Sequence, residues 1–184
     1  MRRPIRNQVL ALAMVIAAGT ACGQKSNSPG GSPPPSVGAS ASSPSAEQAA
    51  GEKALAVYHR YRSAYVTAAA TADTTSTDLK KYAGGAALVQ VQVALQRQRS
   101  DGIVMRGQPV SHAEVTQVTL GKPPRVVIED CVDNTNWQPF RKATGKSAAP
   151  PSQATRFVIT STVEQYGDGR WLVSESTADR SRSC

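Results

Sequence analysis

The sequence predicts an α+β fold in which helices come first and antiparallel strands follow. Two observations carry this. Apolar residues between Glu47 and Arg99 recur at helical spacing, whereas from Ile103 onward they alternate in short runs separated by turn residues. Helices grouped before strands, rather than interleaved with them, form the α+β pattern.

Each element has its own local reason. Glu47 to Ala72 is rich in alanine, and places Leu55, Tyr58, Tyr61 or Arg62, Tyr65 and Ala69 at helical spacing. Asp73 to Ser76 is a polar break. Asp78 to Tyr82 reads as a short helical turn with Thr77 as its N-cap. Gly84-Gly85 permits a sharp turn. Ala86 to Arg99 is a third helix with Leu88, Val91, Gln92 and Leu95 on one face, stopped by Ser100-Asp101-Gly102. Strands are expected at Ile103–Met105, Ala113–Leu120 and Arg125–Val132. The turn Gly121-Lys122-Pro123-Pro124 joins the last two as a hairpin. Trp137–Phe140 reads as a short edge piece, and Thr144–Gln153 as a loop. Arg156–Tyr166 is a long strand with Phe157, Ile159 and Val163 on one face. After Gly167-Asp168-Gly169, Arg170–Thr177 returns with Trp171 and Val173 on one face, Trp171 reading as core.

Three further segments set the organisation. Arg2, Arg3 and Arg6 precede a ten-residue apolar core, Val9 to Ala18, then Gly19-Thr20-Ala21-Cys22. That order is a secretory signal. Ten helical residues span about 15 Å, roughly half a bilayer core, too short to cross. The segment resembles a bacterial lipobox, with Gly19 where Leu is commonest. The resemblance implies cleavage before Cys22 and a lipid on its thiol. From Lys25 to Ser45, 16 of 21 residues are Ser, Pro or Gly. Such a composition buries too little apolar surface to offset chain entropy and reads as a tether. As a flexible coil, residues 23–46 would reach roughly 27 Å. The expected parts are therefore a signal peptide (1–21), a lipidated cysteine and tether (22–45), and one folded domain (46–184). The expected location is the extracytoplasmic face of the cell membrane.

Composition narrows the function classes. The whole chain carries a formal charge of +8; without residues 1–21, 18 basic and 13 acidic residues remain. The basic residues are dispersed and not interleaved with aromatics, so a nucleic-acid partner is not expected. Cys131 and Cys184 remain once Cys22 is assigned to the anchor, and in an exported protein a disulfide between them is the default. There is no Cys-x-x-Cys, and His59 and His112 stand far apart, so no metal or other cofactor is expected. Lys142-Ala143-Thr144-Gly145-Lys146 has too few glycines for a phosphate loop.

Four stretches carry a family resemblance. They are the aromatic-rich first helix (Tyr58, Tyr61, Tyr65), Leu79 to Ala87 with Tyr82-Ala83-Gly84-Gly85, the strand end Glu129-Asp130-Cys131-Val132-Asp133, and the closing Gly169-Arg170-Trp171-Leu172-Val173. Together they resemble the nuclear-transport-factor-2-like (NTF2-like, SnoaL-like) cone fold of small exported actinobacterial lipoproteins. The resemblance implies a curved sheet wrapped on the first helix, with a pocket at its wide end.

Candidate site residues follow from that pocket. Alternation puts Asp130 on the face of Val126, Ile128 and Val132, where a carboxylate among apolar neighbours is a candidate general base. Asp133, near a strand end, reads as a turn cap. His112 reads as a solvated strand-edge residue and His59 as surface. Tyr58, Tyr61 and Tyr65 are packing or pocket residues. Trp137 follows the polar Asn134-Thr135-Asn136 and reads either as exposed, an interface candidate beside Phe140 and Arg141, or as a rim residue covering the open end of the sheet. The expected function is binding of a protein partner or a small apolar ligand by a membrane-anchored domain. The competing class is a small isomerase- or cyclase-type enzyme, which would need Asp130, His112 and a tyrosine clustered in one cavity.

Overall fold

The computed structural model describes residues 44–184. The signal segment, Cys22 and nearly all of the tether lie outside the described residues. The domain is α+β: helices α1 (Ala46–Ala69), α2 (Thr77–Tyr82) and α3 (Gly85–Ser100) precede strands β1 (Ile103–Gly107), β2 (Val110–Thr119), β3 (Arg125–Asp133), β4 (Trp137–Arg141), β5 (Arg156–Gln165) and β6 (Trp171–Asp179). No described helix is long and apolar enough to cross a membrane.

The first helix begins with a capping box. The Ser45 hydroxyl accepts from the Gln48 amide at 3.2 Å, and the Ser45 amide donates to Gln48 Oε1 at 2.8 Å. Ser45 therefore belongs to the folded domain as well as ending the Ser/Pro/Gly run. The helix stops at Ala69, three residues before the expected Ala72, because the chain turns there. Ala72 takes a positive φ of 54°, and the Asp73 amide reaches back to the Ala68 carbonyl. In α2, Ser76 rather than Thr77 holds the N-cap position, without a side-chain cap bond.

The strands form two sheets rather than one. β2-β3-β5-β6 is an antiparallel four-stranded sheet, and β1 pairs with β4 as a separate two-stranded ribbon. The expected β2–β3 hairpin is present. Helices α1 and α3 cover the inner face of the larger sheet. Ala54, Tyr58, Tyr61 and Ala69 of α1 and Ala87, Val91 and Leu95 of α3 meet Val126, Ile128, Val163 and Val173. Alanines on the covering helices let the backbones approach the sheet, and Gly51 lies against Val115 and Val118 of β2. Trp171, expected in the core, is only half-buried and packs at its edge, while Val173 is fully buried.

The C-terminal tail crosses the outer face. Cys131 of β3 is joined to Cys184, with their Cα atoms 5.8 Å apart. The Arg182 guanidinium grips Glu129 with two bonds, Nη1–Oε1 at 2.9 Å and Nη2–Oε2 at 3.2 Å. The Val158 amide donates to the Arg182 carbonyl, and Arg156 Nη2 donates to the Cys184 carbonyl.

Two carboxyls of this latch are depressed by their donors. Hydrogen bonds from Arg182 hold the Glu129 carboxyl below the usual range, and those from Ser181 do the same for Asp179. A carboxyl depressed in the folded state stabilises it fully above its unfolded pKa, and that contribution is lost as pH falls through the folded value. Hydrogen exchange at the Val158 amide, corrected for intrinsic pH dependence, is expected to accelerate as pH falls below the ordinary carboxylate range. Unchanged protection there would show that the ion pair does not hold the tail.

Candidate functional site

Residues 54, 58, 61, 62, 65 and 69 recur three or four apart on α1, so one face of the helix carries three tyrosines and an arginine towards the sheet. Tyr58 and Tyr61 are buried and Tyr65 nearly so. Below them stands Asp130 of β3, fully buried on the inner face, as strand alternation placed it.

Asp130 is tied by three donors. Its Oδ2 accepts from the Tyr58 hydroxyl at 2.8 Å and the Ser111 hydroxyl at 2.7 Å, and its Oδ1 accepts from the His112 amide at 2.8 Å. An acceptor-only carboxylate suits that arrangement. Burial pushes the Tyr58 phenol far above its ordinary value, against the opposing charge of Arg62, with Asp130 adding to the rise. Burial raises Tyr61 and Tyr65 in the same way, again opposed first by Arg62. All three tyrosines are neutral donors at physiological pH.

The competing enzyme constellation does not assemble. Only the backbone of His112 meets Asp130. Its imidazole lies on the opposite face of β2, exposed, in a shallow site shared with Glu129, Cys131 and Arg182. His59 is exposed on α1. Asp133 accepts from the Thr135 amide at 2.8 Å, the Asx-turn geometry of a strand end. Among the described residues no group of His, Cys, Asp and Glu side chains is arranged to hold a metal ion.

Of the two alternatives for Trp137, the exposed one is not what the structure has. Trp137 is 7 % exposed, and its ring meets Tyr65 edge-on with centroids 5.6 Å apart. The polar Asn134-Thr135-Asn136 makes a tight corner, with the Trp137 amide bonded to the Asn134 carbonyl, and that corner turns the indole inward. Phe140 is half-buried beneath the Arg106 guanidinium, 4.8 Å from its ring centre, so no exposed Trp–Phe surface forms.

Two clefts open where α1, α3 and the sheet part. One, of about 210 Å3, lies between Tyr61, Arg62 and Tyr65 of α1, Val91 and Ala94 of α3, and the ends of β5 and β6. The other, of about 260 Å3, runs towards Met105 and Gln138. They share Tyr65, Asn134, Trp137 and Arg180. The structure thus brings Tyr61, Tyr65 and Trp137 together at a cleft and leaves Tyr58 and Asp130 beneath it.

Two side chains of this region were not selected from the sequence. Arg62 is 8 % exposed, and its Nε and Nη2 are buried without a hydrogen-bond partner. The signal was present: Arg62 stands four residues after Tyr58, on the tyrosine face. Its neighbour His59 reads as surface, and a basic residue in such company is ordinarily solvated. Arg180, just after β6, lies over the Phe157 ring at 4.2 Å and donates to the Ala154 carbonyl. Buried donors left without partners cost about 1–3 kcal/mol each, more when charged.

No protein-family model and no curated protein matches this chain. Among solved structures, it is similar to the intermembrane space region of the chloroplast protein ARC6, at 12 % identity, over 70 % of this chain and 95 % of that one, with a TM-score of 0.45.

Proposed function

We propose that residues 46–184 form an NTF2-like (SnoaL-like) cone that works as a non-catalytic binding module for a small ligand. In this reading a lipid on Cys22 and the tether of residues 22–45 hold the module on the extracytoplasmic face of the cell membrane. The observation that carries the binding role is the cleft between α1, α3 and the sheet, walled by Tyr61, Tyr65 and Trp137 and bordered by Arg62 and Arg180. Pockets with mostly apolar walls and a few placed polar groups are the common form of a small-molecule site. Asp130 favours binding over catalysis. A general base must be free to take a proton, and both of its oxygens are occupied by donors from the protein.

A ligand screen by protein-observed nuclear magnetic resonance tests the binding role. Ligands are expected to shift the Trp137 indole and the Tyr61 and Tyr65 ring signals. Shifts confined to the exposed Val89 and Val93 on α3 would instead support a protein-docking face and sink the cleft reading.

The anchor has its own test. The intact mass of the membrane-bound form is expected to correspond to a chain beginning at Cys22 plus acyl groups. A chain retaining Met1 would refute it.

A further inference from the structure

The two edges of the larger sheet are not alike. At β6 the linker between α2 and α3 covers part of the strand: Ala83 forms a parallel bridge with Val173, and the Gly84 amide donates to the Val173 carbonyl. β2 pairs with β3 and with no other described strand. The backbone groups on its outer edge are a template for a further strand. The usual guards of such an edge are missing. Val110–Thr119 contains no Lys, Arg or Pro. Its bulge lies between Val115 and Gln117 and leaves the first half of the strand regular. Two exposed apolar residues, Val110 and Leu120, stand at its ends.

The side chains say what fits there. His112 and Glu114 occupy the outer face and are exposed. Glu114 stands opposite Glu129, a like charge already held by Arg182, and forms no ion pair among the described residues. The inner face carries Ser111, Ala113 and Val115, which α1 leaves only half-buried.

We propose that β2 is a self-association edge, at which two copies of the chain pair antiparallel through residues 110–116 about a two-fold axis at Ala113. Opposite residues in an antiparallel ladder belong to the same hydrogen-bonding class, so the axis of a symmetric pair falls on a residue and not between two. An axis at Glu114 sets two carboxylates against each other, which is destabilising. An axis at His112 leaves Glu114 opposite the apolar Val110. The axis at Ala113 sets His112 opposite Glu114 of the second copy, twice by symmetry, and Val110 opposite Thr116, where the bulge ends the run. Each Glu114 then faces an imidazole N–H in place of water. The larger sheet becomes continuous across the two copies. The cleft lies at the ends of β5 and β6, on the far side of the sheet from β2, and stays open.

The test uses the full chain. By sedimentation in detergent matched to the solvent density, a dimer dissociating at or below about 0.1 mM is expected; a monomer throughout that range would overturn the proposal. His112→Glu and Glu114→Lys are each expected to weaken association by about tenfold, since each removes or reverses two cross-strand pairs. Combined, they restore opposite signs across the axis and are expected to regain most of the loss; a double variant as weak as the single ones would overturn the register. Ala113→Cys puts a thiol on the axis, where opposite Cα atoms stand about 4.5–5.5 Å apart, within reach of a disulfide. Mild oxidation in membranes is expected to join two copies through it, Cys131 and Cys184 being already bonded to each other. Val118→Cys, on the same strand beyond the bulge, is expected to stay single. Equal cross-linking at both positions would mark random encounter and overturn the proposal. If Ala113→Cys does not fold, the charge exchange still decides.

Discussion

Replacing Asp130 by alanine is expected to destabilise the domain by about 3–4 kcal/mol, lowering the melting temperature by roughly 10 °C. The carboxylate is fully buried and accepts from Tyr58, Ser111 and the His112 amide. Alanine removes both acceptor oxygens and with them all three hydrogen bonds. The Ser111 hydroxyl is only part-buried and can turn to water, but the Tyr58 hydroxyl lies at 0 % exposure and cannot. Asparagine should cost about half as much. Its carbonyl oxygen can serve the His112 amide, whose N–H is fixed, while its NH2 group faces two hydroxyls able to rotate and accept. What remains is the Tyr58 O–H without an acceptor. The decisive comparison is therefore a double-mutant cycle. Tyr58→Phe should cost about 1–2 kcal/mol in the native background and close to nothing beside Asp130→Asn, because the orphaned donor is then gone. Equal costs of Tyr58→Phe in both backgrounds would show that the hydroxyl does not depend on Asp130. Chemical denaturation of the four proteins supplies every number required.

The order of helices and strands was legible because it rests on period, and period survives without an alignment. Asp130 is the clearest case: Val126, Ile128, Asp130 and Val132 alternate strictly, so its burial follows from its neighbours. Other features depended on contacts that no local pattern encodes. The separation of β1 and β4 into their own ribbon is one, since both strands span five residues and look like edges of any sheet. Trp137 is another. Polar neighbours suggested exposure, yet they form the corner that drives the indole against Tyr65. Arg62 was obscured for the opposite reason, as a charge on an apolar face flanked by surface charges. Its burial emerges only from the packing of the tyrosine face of α1.

Removal of the disulfide by Cys131→Ser with Cys184→Ser is expected to cost about 4 kcal/mol, chiefly through the unfolded chain. The bond spans 53 residues of sequence, and in the chain-entropy model a loop of that length restricts the unfolded ensemble by this amount. The other tail contacts are too weak to compensate. Glu129 and Arg182 are half-exposed, and water and salt screen an exposed ion pair so that it contributes little. The denaturation slope separates the two mechanisms. An unfolded chain freed of its loop exposes more surface, so the slope should rise along with the loss of stability. A constant slope with a loss under about 1 kcal/mol would place the effect in native contacts instead. The same change should reach the cleft. Arg180 stands four residues before Cys184, and once the tail is free it is held by the Phe157 ring, the Ala154 carbonyl and the Gln153 side-chain amide. An exposed cation–ring contact is worth about 0.5–1 kcal/mol. The β6 end should then fray before the sheet opens, with exchange rising first at residues 180–184 while the amides of β3 stay protected. The disulfide on the outer face would thereby help to hold the second cation at the cleft on the inner one.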